Sequence, residues 1–403
     1  MQIAGTDAGV PPRALVLLTE TFANGGIQRF NRTFLTACAR LSVSCDVLSL
    51  GDSEASRTHW EAPKSARVRV FARNKVRFAL AASAALLRGG HQFIIVGHVN
   101  LIELVAANVA LRGAGGARVL LIAHGIDVWS GMEGWGRRRA LTVVDLILSV
   151  SRYTRRRLCE QRPELTADRF TIFPNALSEI WAERSARGAS VDLPVKLPKK
   201  FLLSVTRLDR GDRYKGLVSV IEAVAMLADT SVHYIVAGRG EDQGFLERVA
   251  LRCGLSERVH FMGALSDEQL EALYRECAAF VLPSGKEGFG IVFLEAMFFG
   301  APVIAAAEKG AVDVVKDEET GLLVPYGDTM ALAAAMERIL LDDKLRARLR
   351  ENARATVVED GPFTFQAYVA RLAHVLAVPP PPSVTLGSHA AAERALHGNA
   401  KET

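Results

Sequence analysis

Short apolar runs alternate with longer stretches of helical period along most of the chain. RALVLL at residues 13–18 and FIIVG at residues 93–97 are examples, and each is followed by a glycine or polar turn and then by a helical stretch. This alternation predicts parallel β-strands joined by crossover helices. The runs are apolar at nearly every position, as expected for strands that helices cover on both faces of a sheet. We therefore predict an α/β fold with doubly wound parallel sheets.

The same alternation occurs in both halves of the chain. The strands predicted in the first half are RALVLL, CDVLSL, RVRVF, FIIVG, RVLLIA, DLILSV and FTIF, and those in the second half are FLLSV, VHYIVAG, RVHFMG, AFVLPS, PVIAA and GLLV. A length of 403 residues also exceeds the size at which a single core stops growing. We predict two Rossmann-like domains, at residues 12–190 and 198–360, with the segment VDLPVKLPKK around Val191 as their linker. Ligands of such sheets bind at the carboxyl ends of the strands, so we expect the site in a cleft between the domains.

The chain beyond residue 360 has two parts of different composition. FQAYVARLAHVLAV predicts a C-terminal helix within residues 361–378, which we expect to pack on the N-terminal domain. Residues 379–403 contain four consecutive prolines followed by small polar residues. Such a composition buries too little apolar surface to offset the entropy of ordering, so we predict a disordered tail.

Composition restricts the class of protein and its compartment. Hydrophobic residues make up 49% of the chain and charged residues 23%, as in a folded globular protein. The five cysteines are widely separated and form no CxxC pair, which argues against a disulfide framework and a zinc site. No secretory signal precedes the first strand, and polar residues interrupt the longest apolar stretch, from Phe93, so no transmembrane span is expected. We expect a cytoplasmic protein without a nucleic-acid partner.

One segment of the chain is strongly basic. The net charge is only +5, but seven arginines and a single acid, Asp145, lie between Arg137 and Arg157. Such an excess of positive charge suits anionic lipid or a phosphorylated acceptor. Arginines on solvated helix faces are an equally good interpretation. Contact with the inner face of an anionic membrane is therefore one hypothesis for this segment.

Two glutamates stand in the apolar and glycine-rich segment PSGKEGFGIVFLEAMFFG, residues 283–300. The pattern places Glu287 in a loop and Glu295 inside a buried helix that begins near Gly290 and ends at Gly300. A buried carboxylate requires hydrogen-bond donors, which a ligand, the neighbouring backbone or an arginine can supply. Eight helical steps rise by about 12 Å, more than the roughly 5–9.5 Å between the two carboxyl groups of a glycosidase. The two acids are therefore better suited to contact two parts of one extended ligand.

The start of this predicted helix also suits an anion. The backbone amides of Phe289, Gly290 and Ile291 lie where unpaired N–H groups and partial positive charge favour a phosphate. A nucleotide-sugar contains a hexose, a diphosphate, a ribose and a base in that order, which matches a carboxylate, an anion site and a second carboxylate along the segment.

The block PSGKEGFGIVFLEAMFFGAPVIA, followed by TGLLVPYGD, resembles the nucleotide-binding core of the retaining glycosyltransferases of family 4. The resemblance covers almost the whole chain and implies the GT-B fold, with two facing Rossmann-like domains and an interdomain cleft. It implies that the N-terminal domain, residues 12–190, binds the acceptor and that the C-terminal domain, residues 198–360, binds the nucleotide-sugar. It implies that Glu295 holds the ribose of the donor and that Glu287 faces the donor hexose. In VTRLDRGDRYKGL, Arg207 and Lys215 match the basic pair that grips the donor diphosphate and offsets the charge that develops as the glycosidic bond breaks.

Further family positions follow other predicted strands of the second half. Gly238 and Gly240 in VAGRGED match a turn where the backbone approaches the donor, although a plain strand-to-helix turn explains them equally well. Phe261 and Met262 in RVHFMG match the strand end whose backbone contacts the base, while their side chains are expected in the core.

The first half supplies the remaining candidates. Gly25 and Gly26 follow the first strand, where amides can approach phosphate and acceptor, or where a tight turn alone requires them. His124 in LLIAHGIDVW matches the family histidine near the donor sugar and acceptor, although a lone histidine after a strand is more often structural. Asp127 is a weaker candidate.

The resemblance predicts a retaining hexosyltransferase that uses a UDP- or GDP-sugar and forms an α-linkage. The acceptor is expected to be a hydroxyl of a glycan or of a polyprenyl-diphosphate-linked glycan, in exopolysaccharide, lipopolysaccharide or related cell-surface glycan biosynthesis. No DxD motif is present, so neither a metal nor another cofactor is predicted. A non-catalytic nucleotide-sugar-binding protein and a phosphorylase-like GT-B enzyme are the alternatives.

Overall fold

The chain divides into two compact units. The computed structural model describes residues 11–23, 25–57, 60–112, 116–132, 134–178, 193, 196–358 and 360–380. Of these, the first unit contains the residues up to Asn175 and those from Phe365 onward, and the second contains the residues from Ala176 to Thr364. Of the predicted linker VDLPVKLPKK, residues 191, 192, 194 and 195 lie outside the described residues, as does the predicted tail from residue 381.

The first unit contains one parallel sheet of seven strands. The strands are β1 (Arg13–Leu18), β2 (Ser44–Ser49), β3 (Ala66–Val70), β4 (Phe93–Val96), β5 (Arg118–Ala123), β6 (Leu146–Ser149) and β7 (Phe170–Ile172). Their order across the sheet is β3-β2-β1-β4-β5-β6-β7. The helices are α1 (Gly26–Arg40), α2 (Lys75–Arg88), α3 (Ile102–Arg112), α4 (Trp135–Leu141) and α5 (Arg152–Gln161). All seven strands that the apolar runs predict are present, and the doubly wound order is confirmed.

Apolar periodicity explains how these elements pack. Phe30, Phe34 and Cys38 recur every four residues in α1 and are buried together on one face. β4 is buried at all four positions, as a strand with helices on both faces should be. The core between sheet and helices includes Leu15, Leu17, Ile94, Val96, Val105, Val119, Leu121 and Ile147.

The second unit repeats the architecture with six parallel strands. They are β8 (Phe201–Val205), β9 (His233–Ala237), β10 (Val259–Gly263), β11 (Ala279–Leu282), β12 (Val303–Ala306) and β13 (Gly321–Val324), in the order β10-β9-β8-β11-β12-β13. The helices are α6 (Leu217–Met226), α7 (Gln243–Arg252), α8 (Asp267–Glu276), α9 (Ile291–Phe298), α10 (Thr329–Leu341) and α11 (Asp343–Ala355). Strand order reverses between β1 and β4 in the first sheet and between β8 and β11 in the second. Ligands of open α/β sheets bind beyond the carboxyl ends of the strands at such reversals.

The chain returns to the first unit through α12 (Phe365–Leu376). The ring of Tyr368 lies 6.1 Å from that of Phe30 in α1 and 4.6 Å from that of Phe173. The Arg118 guanidinium donates a hydrogen bond of 2.9 Å to the carbonyl of Val375. Within the described ranges, no helix combines the length and apolarity that crossing a bilayer requires.

Candidate active site

Lys215 and Glu287 meet where strand order reverses in the second sheet. Glu287 lies in the loop after β11, and Lys215 ends the 3-10 turn Arg210–Lys215 that follows β8. Lys215 Nζ donates to Glu287 Oε2 at 2.7 Å, and the two side chains are only 16% and 14% exposed. Partial burial strengthens an ion pair relative to one in water, so each charge holds the other in position. Two residues predicted on separate loops thus form a single charged centre.

Glycines allow the two loops to approach this closely. Gly216 has φ +79°, and a Cβ there would lie 2.6 Å from the carbonyl oxygen of Pro283. The amide of Gly285 donates to the carbonyl of Tyr214 at 2.7 Å. From the loop after β12, the amide of Gly310 donates to the carbonyl of Glu287 at 2.9 Å. The Glu287 loop is therefore fixed by backbone contacts from two sides.

Helix α9 begins at Ile291, directly after Gly290, as predicted. Gly290 has φ +89°, and a Cβ at this position would overlap the Phe293 ring, so only glycine fits without strain. The first amides of a helix have no intrahelical acceptor, which makes this end of α9 suitable for an anion. The Phe289 side chain is 2% exposed and packs edge-on against Phe363 at 5.7 Å. Only the backbone of Phe289 can therefore serve a ligand.

Glu295 lies in the buried part of α9 and is 1% exposed. The hydroxyl of Tyr274 in α8 donates to Glu295 Oε2 at 3.0 Å. A buried carboxylate requires such a donor, and the sequence pattern did not identify this tyrosine as its source. The role of Glu295 toward a ribose stays a prediction.

Arg207 projects from the end of β8 and is anchored at one side. Its side chain is 68% exposed, and its Nη2 lies 3.0 Å from Oδ2 of Asp212, which is 8% exposed. Oδ1 of Asp212 accepts a hydrogen bond of 2.9 Å from the Tyr214 hydroxyl. Burial, and then the bond to Asp212, raise the pKa of Tyr214. Asp212 and Tyr214 were missed by the sequence prediction, which singled out only Arg207 and Lys215 in VTRLDRGDRYKGL.

Gly238 and Gly240 let the loop after β9 pack onto the loop that carries Arg207. A Cβ at Gly238 would overlap the carbonyl oxygen of Thr206, and one at Gly240 would overlap the carbonyl of Leu208. Leu208 donates to the Arg239 carbonyl at 2.9 Å and accepts from the Asp242 amide at 2.8 Å. Close backbone packing thus accounts for both glycines, and the predicted donor contact of Gly238 stays a prediction.

Phe261 and Met262 lie at the carboxyl end of β10, an edge strand. Met262 is 8% exposed, and Phe261 is half-buried. The pairing with β9 is irregular between Phe261 and Gly263, which is typical of a bulge that redirects a strand end beside a site. Both residues line a surface cavity of about 410 Å³.

His124 follows β5 in the first unit. Its Nε2 lies 2.9 Å from the carbonyl oxygen of Gly97, so this nitrogen carries the proton of the neutral ring and Nδ1 is the acceptor. The Phe30 ring meets the imidazole edge-on, with 4.9 Å between ring centres. Burial lowers the pKa of His124 to about 4, so the ring is neutral at physiological pH.

Two further titratable groups surround His124. Oδ2 of Asp127 accepts a hydrogen bond of 3.4 Å from the His124 amide, and burial raises the pKa of Asp127. The ring of His98 lies 6.5 Å from that of His124, and burial lowers the pKa of His98. In the sequence, His98 is only a polar interruption in an apolar run, which does not single it out as a site residue.

Gly25 and Gly26 lie where they were predicted, at the start of α1. Gly25 is the N-cap, and a Cβ there would overlap the side-chain oxygen of Gln28. Gly26 is the exposed first residue of the helix. Of the predicted site residues, Gly25, Gly26, His124 and the weaker candidate Asp127 belong to the first unit and the others to the second.

Comparison with known proteins identifies the family. Residues 190–356 match the family described as Glycosyl transferases group 1, and residues 24–178 match Glycosyltransferase Family 4. The chain is 30% identical over 300 residues to the GDP-mannose-dependent alpha-(1-6)-phosphatidylinositol monomannoside mannosyltransferase of Mycolicibacterium smegmatis, covering 67% of this chain and 74% of that protein. It is 33% identical over 192 residues to the lipopolysaccharide core biosynthesis glycosyltransferase LpsE of Rhizobium meliloti, covering 48% and 53%. The matched stretch spans about half the length of LpsE and of two further curated glycosyltransferases.

Solved structures of low sequence identity share the fold. HepE of Anabaena, in complex with UDP and glucose, superposes with a TM-score of 0.71 at 19% identity, over 90% of this chain and 99% of that one. WaaG, a glycosyltransferase of lipopolysaccharide biosynthesis, gives a TM-score of 0.65 at 17% identity over 90% and 99%. With the two Rossmann-like sheets, these similarities confirm the predicted GT-B fold.

Proposed function

The chain belongs to the group 1 glycosyltransferases, and on that premise we propose that it is a retaining hexosyltransferase. It transfers a hexose from a UDP- or GDP-sugar to a hydroxyl of a glycan or lipid-linked glycan and forms an α-linkage. The observation that carries this proposal is the Lys215–Glu287 contact of 2.7 Å at the strand reversal of the second sheet, beside the N-terminus of α9. A nucleotide-sugar contains a diphosphate and a hexose. A cation and the N-terminus of a helix suit the diphosphate, and a carboxylate suits the hydroxyl groups of the hexose.

In this proposal the second unit binds the donor. Arg207, Lys215 and the amides of Phe289, Gly290 and Ile291 hold the diphosphate and stabilise its negative charge as the glycosidic bond breaks. These cations belong to the chain itself, so we propose transfer without a metal or other cofactor. Each remaining donor contact is assigned to one part of the donor, namely Glu287 to the hexose, Glu295 to the ribose, Gly238 to the phosphates, and Phe261 and Met262 to the base.

From the first unit, we assign His124 and the Gly25–Gly26 turn to substrate binding. A neutral imidazole with its proton on Nε2 offers Nδ1 as an acceptor, so we assign His124 a hydrogen bond from a sugar hydroxyl. Gly25 and Gly26 bring the amides at the start of α1 toward phosphate or acceptor. The leaving diphosphate takes the acceptor proton in this mechanism.

Donor and acceptor classes follow from the relatives only by analogy. The HepE structure contains UDP and glucose, while the mycobacterial relative is described as GDP-mannose-dependent, so either base is consistent with the family. LpsE and WaaG are described as enzymes of lipopolysaccharide biosynthesis. We propose a cell-surface glycan pathway, such as exopolysaccharide or lipopolysaccharide synthesis, with a polyprenyl-diphosphate-linked glycan as one acceptor class.

We also propose that α4 and α5 contact the cytoplasmic face of an anionic membrane. Trp135 is 74% exposed, and the Arg139 guanidinium lies 5.6 Å from the centre of its ring. Arg138 and Arg156 are 63% and 68% exposed. An exposed indole among arginines suits the boundary between headgroups and acyl chains. Sedimentation with anionic vesicles at low salt tests this contact, and failure to sediment contradicts it.

A thermal-shift panel tests the donor assignment. A ligand that binds only the folded state raises the melting temperature, so a UDP- or GDP-sugar is expected to stabilise the protein. UDP-glucose and UDP-galactose compare two hexoses on one base, and GDP-mannose supplies the other base. Lys215→Met serves as the variant that lacks one of the two diphosphate cations. The absence of a shift with all three donors contradicts the proposal.

A further inference from the structure

Glu20 is a half-buried carboxylate at the strand reversal of the first sheet. It follows β1 by two residues, and its side chain is 29% exposed. Gln28 Nε2 donates to Glu20 Oε2 at 2.9 Å, and Arg73 Nη2 lies 3.7 Å from Oε1. The backbone carbonyl of Glu20 accepts from Asn31 Nδ2 at 2.7 Å. The carboxylate is thus fixed in direction while part of it remains open to solvent.

The loop after β2 leaves room for this side chain. A Cβ on Gly51 would lie 2.5 Å from Cγ of Glu20 and 2.9 Å from the carbonyl oxygen of Thr19. The Gly51 amide donates to that same carbonyl at 2.7 Å. A residue with a side chain at position 51 would displace Glu20 or the turn that carries it.

The buried side chain of Asp52, in the loop after β2, fixes the loop after β1. Its carboxylate is 3% exposed and accepts hydrogen bonds from the amides of Thr21 and Phe22, at 2.6 and 3.2 Å. The hydroxyl of Ser49 donates to it at 2.6 Å. A buried carboxylate with three donors holds the turn beside Glu20 rigidly.

The loop after β3 carries backbone strain at the same edge. Ala72 and Arg73 have φ angles of +46° and +64°. This is the left-handed conformation, which is unfavourable for residues other than glycine. Their amides donate to the carbonyls of Asp52 and Leu50, both at 2.7 Å. Such strained backbone angles persist only where the surrounding structure imposes them, and they are concentrated at functional sites. It places Arg73, which is 82% exposed, beside Glu20.

From these contacts we infer that Glu20 and Arg73 form a binding site for a neutral sugar, the acceptor of the transfer. Glu20 accepts hydrogen bonds from adjacent hydroxyl groups, and the Arg73 guanidinium donates to the same ring. A carboxylate at the centre of the site disfavours an anionic group there, so the bound ring carries hydroxyls rather than a phosphate. This inference rests on the proposed function, because it assigns the acceptor to the first unit.

The test compares sugar binding in wild type and variants of the full chain. Methyl α-glucoside, methyl α-galactoside and methyl α-mannoside are the probes, and saturation-transfer NMR in the presence of UDP or GDP measures their binding. We expect Glu20→Gln, which keeps the size of the side chain, to weaken binding of the recognised glycoside by about ten- to a hundredfold. Arg73→Gln should weaken it by about five- to tenfold. Glu54→Gln is the matched control, because Glu54 lies in the turn after β2 and is 75% exposed.

Donor binding separates this inference from the proposed function. The thermal shift caused by the preferred nucleotide-sugar should be the same in wild type and Glu20→Gln, because the donor contacts lie in the second unit. Equal glycoside binding in wild type and Glu20→Gln overturns the inference, as does the absence of wild-type binding to all three glycosides. Loss of the donor shift in Glu20→Gln also overturns it, because the residue then supports the fold or the donor. Loss of the donor shift in wild type instead contradicts the proposed function.

Discussion

Replacing Lys215 by methionine tests whether its contact with Glu287 serves both the fold and the chemistry. Methionine keeps the length of the side chain and removes its charge. The Glu287 carboxylate, 14% exposed, then loses its cation at 2.7 Å. We expect the second unit to become less stable and the donor diphosphate to bind more weakly.

The expected loss of stability follows from burial and distance. Two unit charges 2.7 Å apart attract by about 6 kcal/mol at an effective dielectric constant of about 20, and the cost of desolvating both groups offsets most of this attraction. Removing one partner of a buried pair costs about 3–5 kcal/mol, because the other charge stays buried. Since both side chains retain some exposure, we expect about 3 kcal/mol, which lowers the melting temperature of a unit of this size by about 6–12 °C.

A double variant separates the structural effect from the chemical one. In Lys215→Met with Glu287→Gln, no charge is buried alone, so most of the stability should return. Donor binding and turnover should remain impaired, because both altered groups are proposed donor contacts. Lys200→Met is the matched control, since Lys200 forms a more exposed ion pair with Asp229 at 3.0 Å and should have little effect on either property. Scanning calorimetry and donor titration measure the two effects. A melting temperature that is unchanged in Lys215→Met, or donor binding that recovers together with stability in the double variant, would contradict a combined structural and chemical role of Lys215.

Two further predictions concern buried polar groups. Tyr274→Phe removes the hydroxyl that donates to Glu295 at 3.0 Å, and we expect it to lower the unfolding free energy by about 1–3 kcal/mol, measured by urea denaturation. Unchanged stability would show that this bond does not support Glu295. The pKa of His124 is about 4 in the folded protein, below its value of about 6.5 in the unfolded chain. The unfolded chain therefore binds a proton that the folded protein does not, and the free energy of unfolding falls as the pH decreases from about 6.5 to 4. The pKa shift corresponds to about 3 kcal/mol. The free energy of unfolding should therefore fall less between about pH 7 and 4.5 in His124→Asn than in wild type. Equal falls in the two proteins would contradict burial of the neutral His124 ring as the cause.

The strands were predictable because each is a local property of the sequence. FLLSV and RVLLIA are continuous apolar runs, and β8 and β5 contain those same residues. The start of α9 was predictable for a similar reason, since Gly290 precedes an apolar helical stretch and adopts the left-handed conformation that glycine permits.

The contacts of the candidate site depend on residues far apart in the chain. Lys215 and Glu287 are separated by 72 positions, and Tyr274 and Glu295 by 21, so no local pattern connects them. Gly238 packs closely against the backbone of Thr206, a contact that the sequence does not specify, and its approach to a ligand stays a prediction. Glu20 was overlooked because a single acid in a polar turn has no distinguishing pattern, and its surroundings come from three loops.

The anomeric configuration of the sugar that the enzyme releases from its donor distinguishes retaining transfer from inverting transfer. Proton NMR can follow the slow hydrolysis of the preferred nucleotide-sugar from its first minutes, before the free sugar equilibrates between anomers. We predict that the α-anomer appears first and that Lys215→Met slows its release. Initial release of the β-anomer, or release that does not depend on Lys215, would contradict retaining transfer at this site.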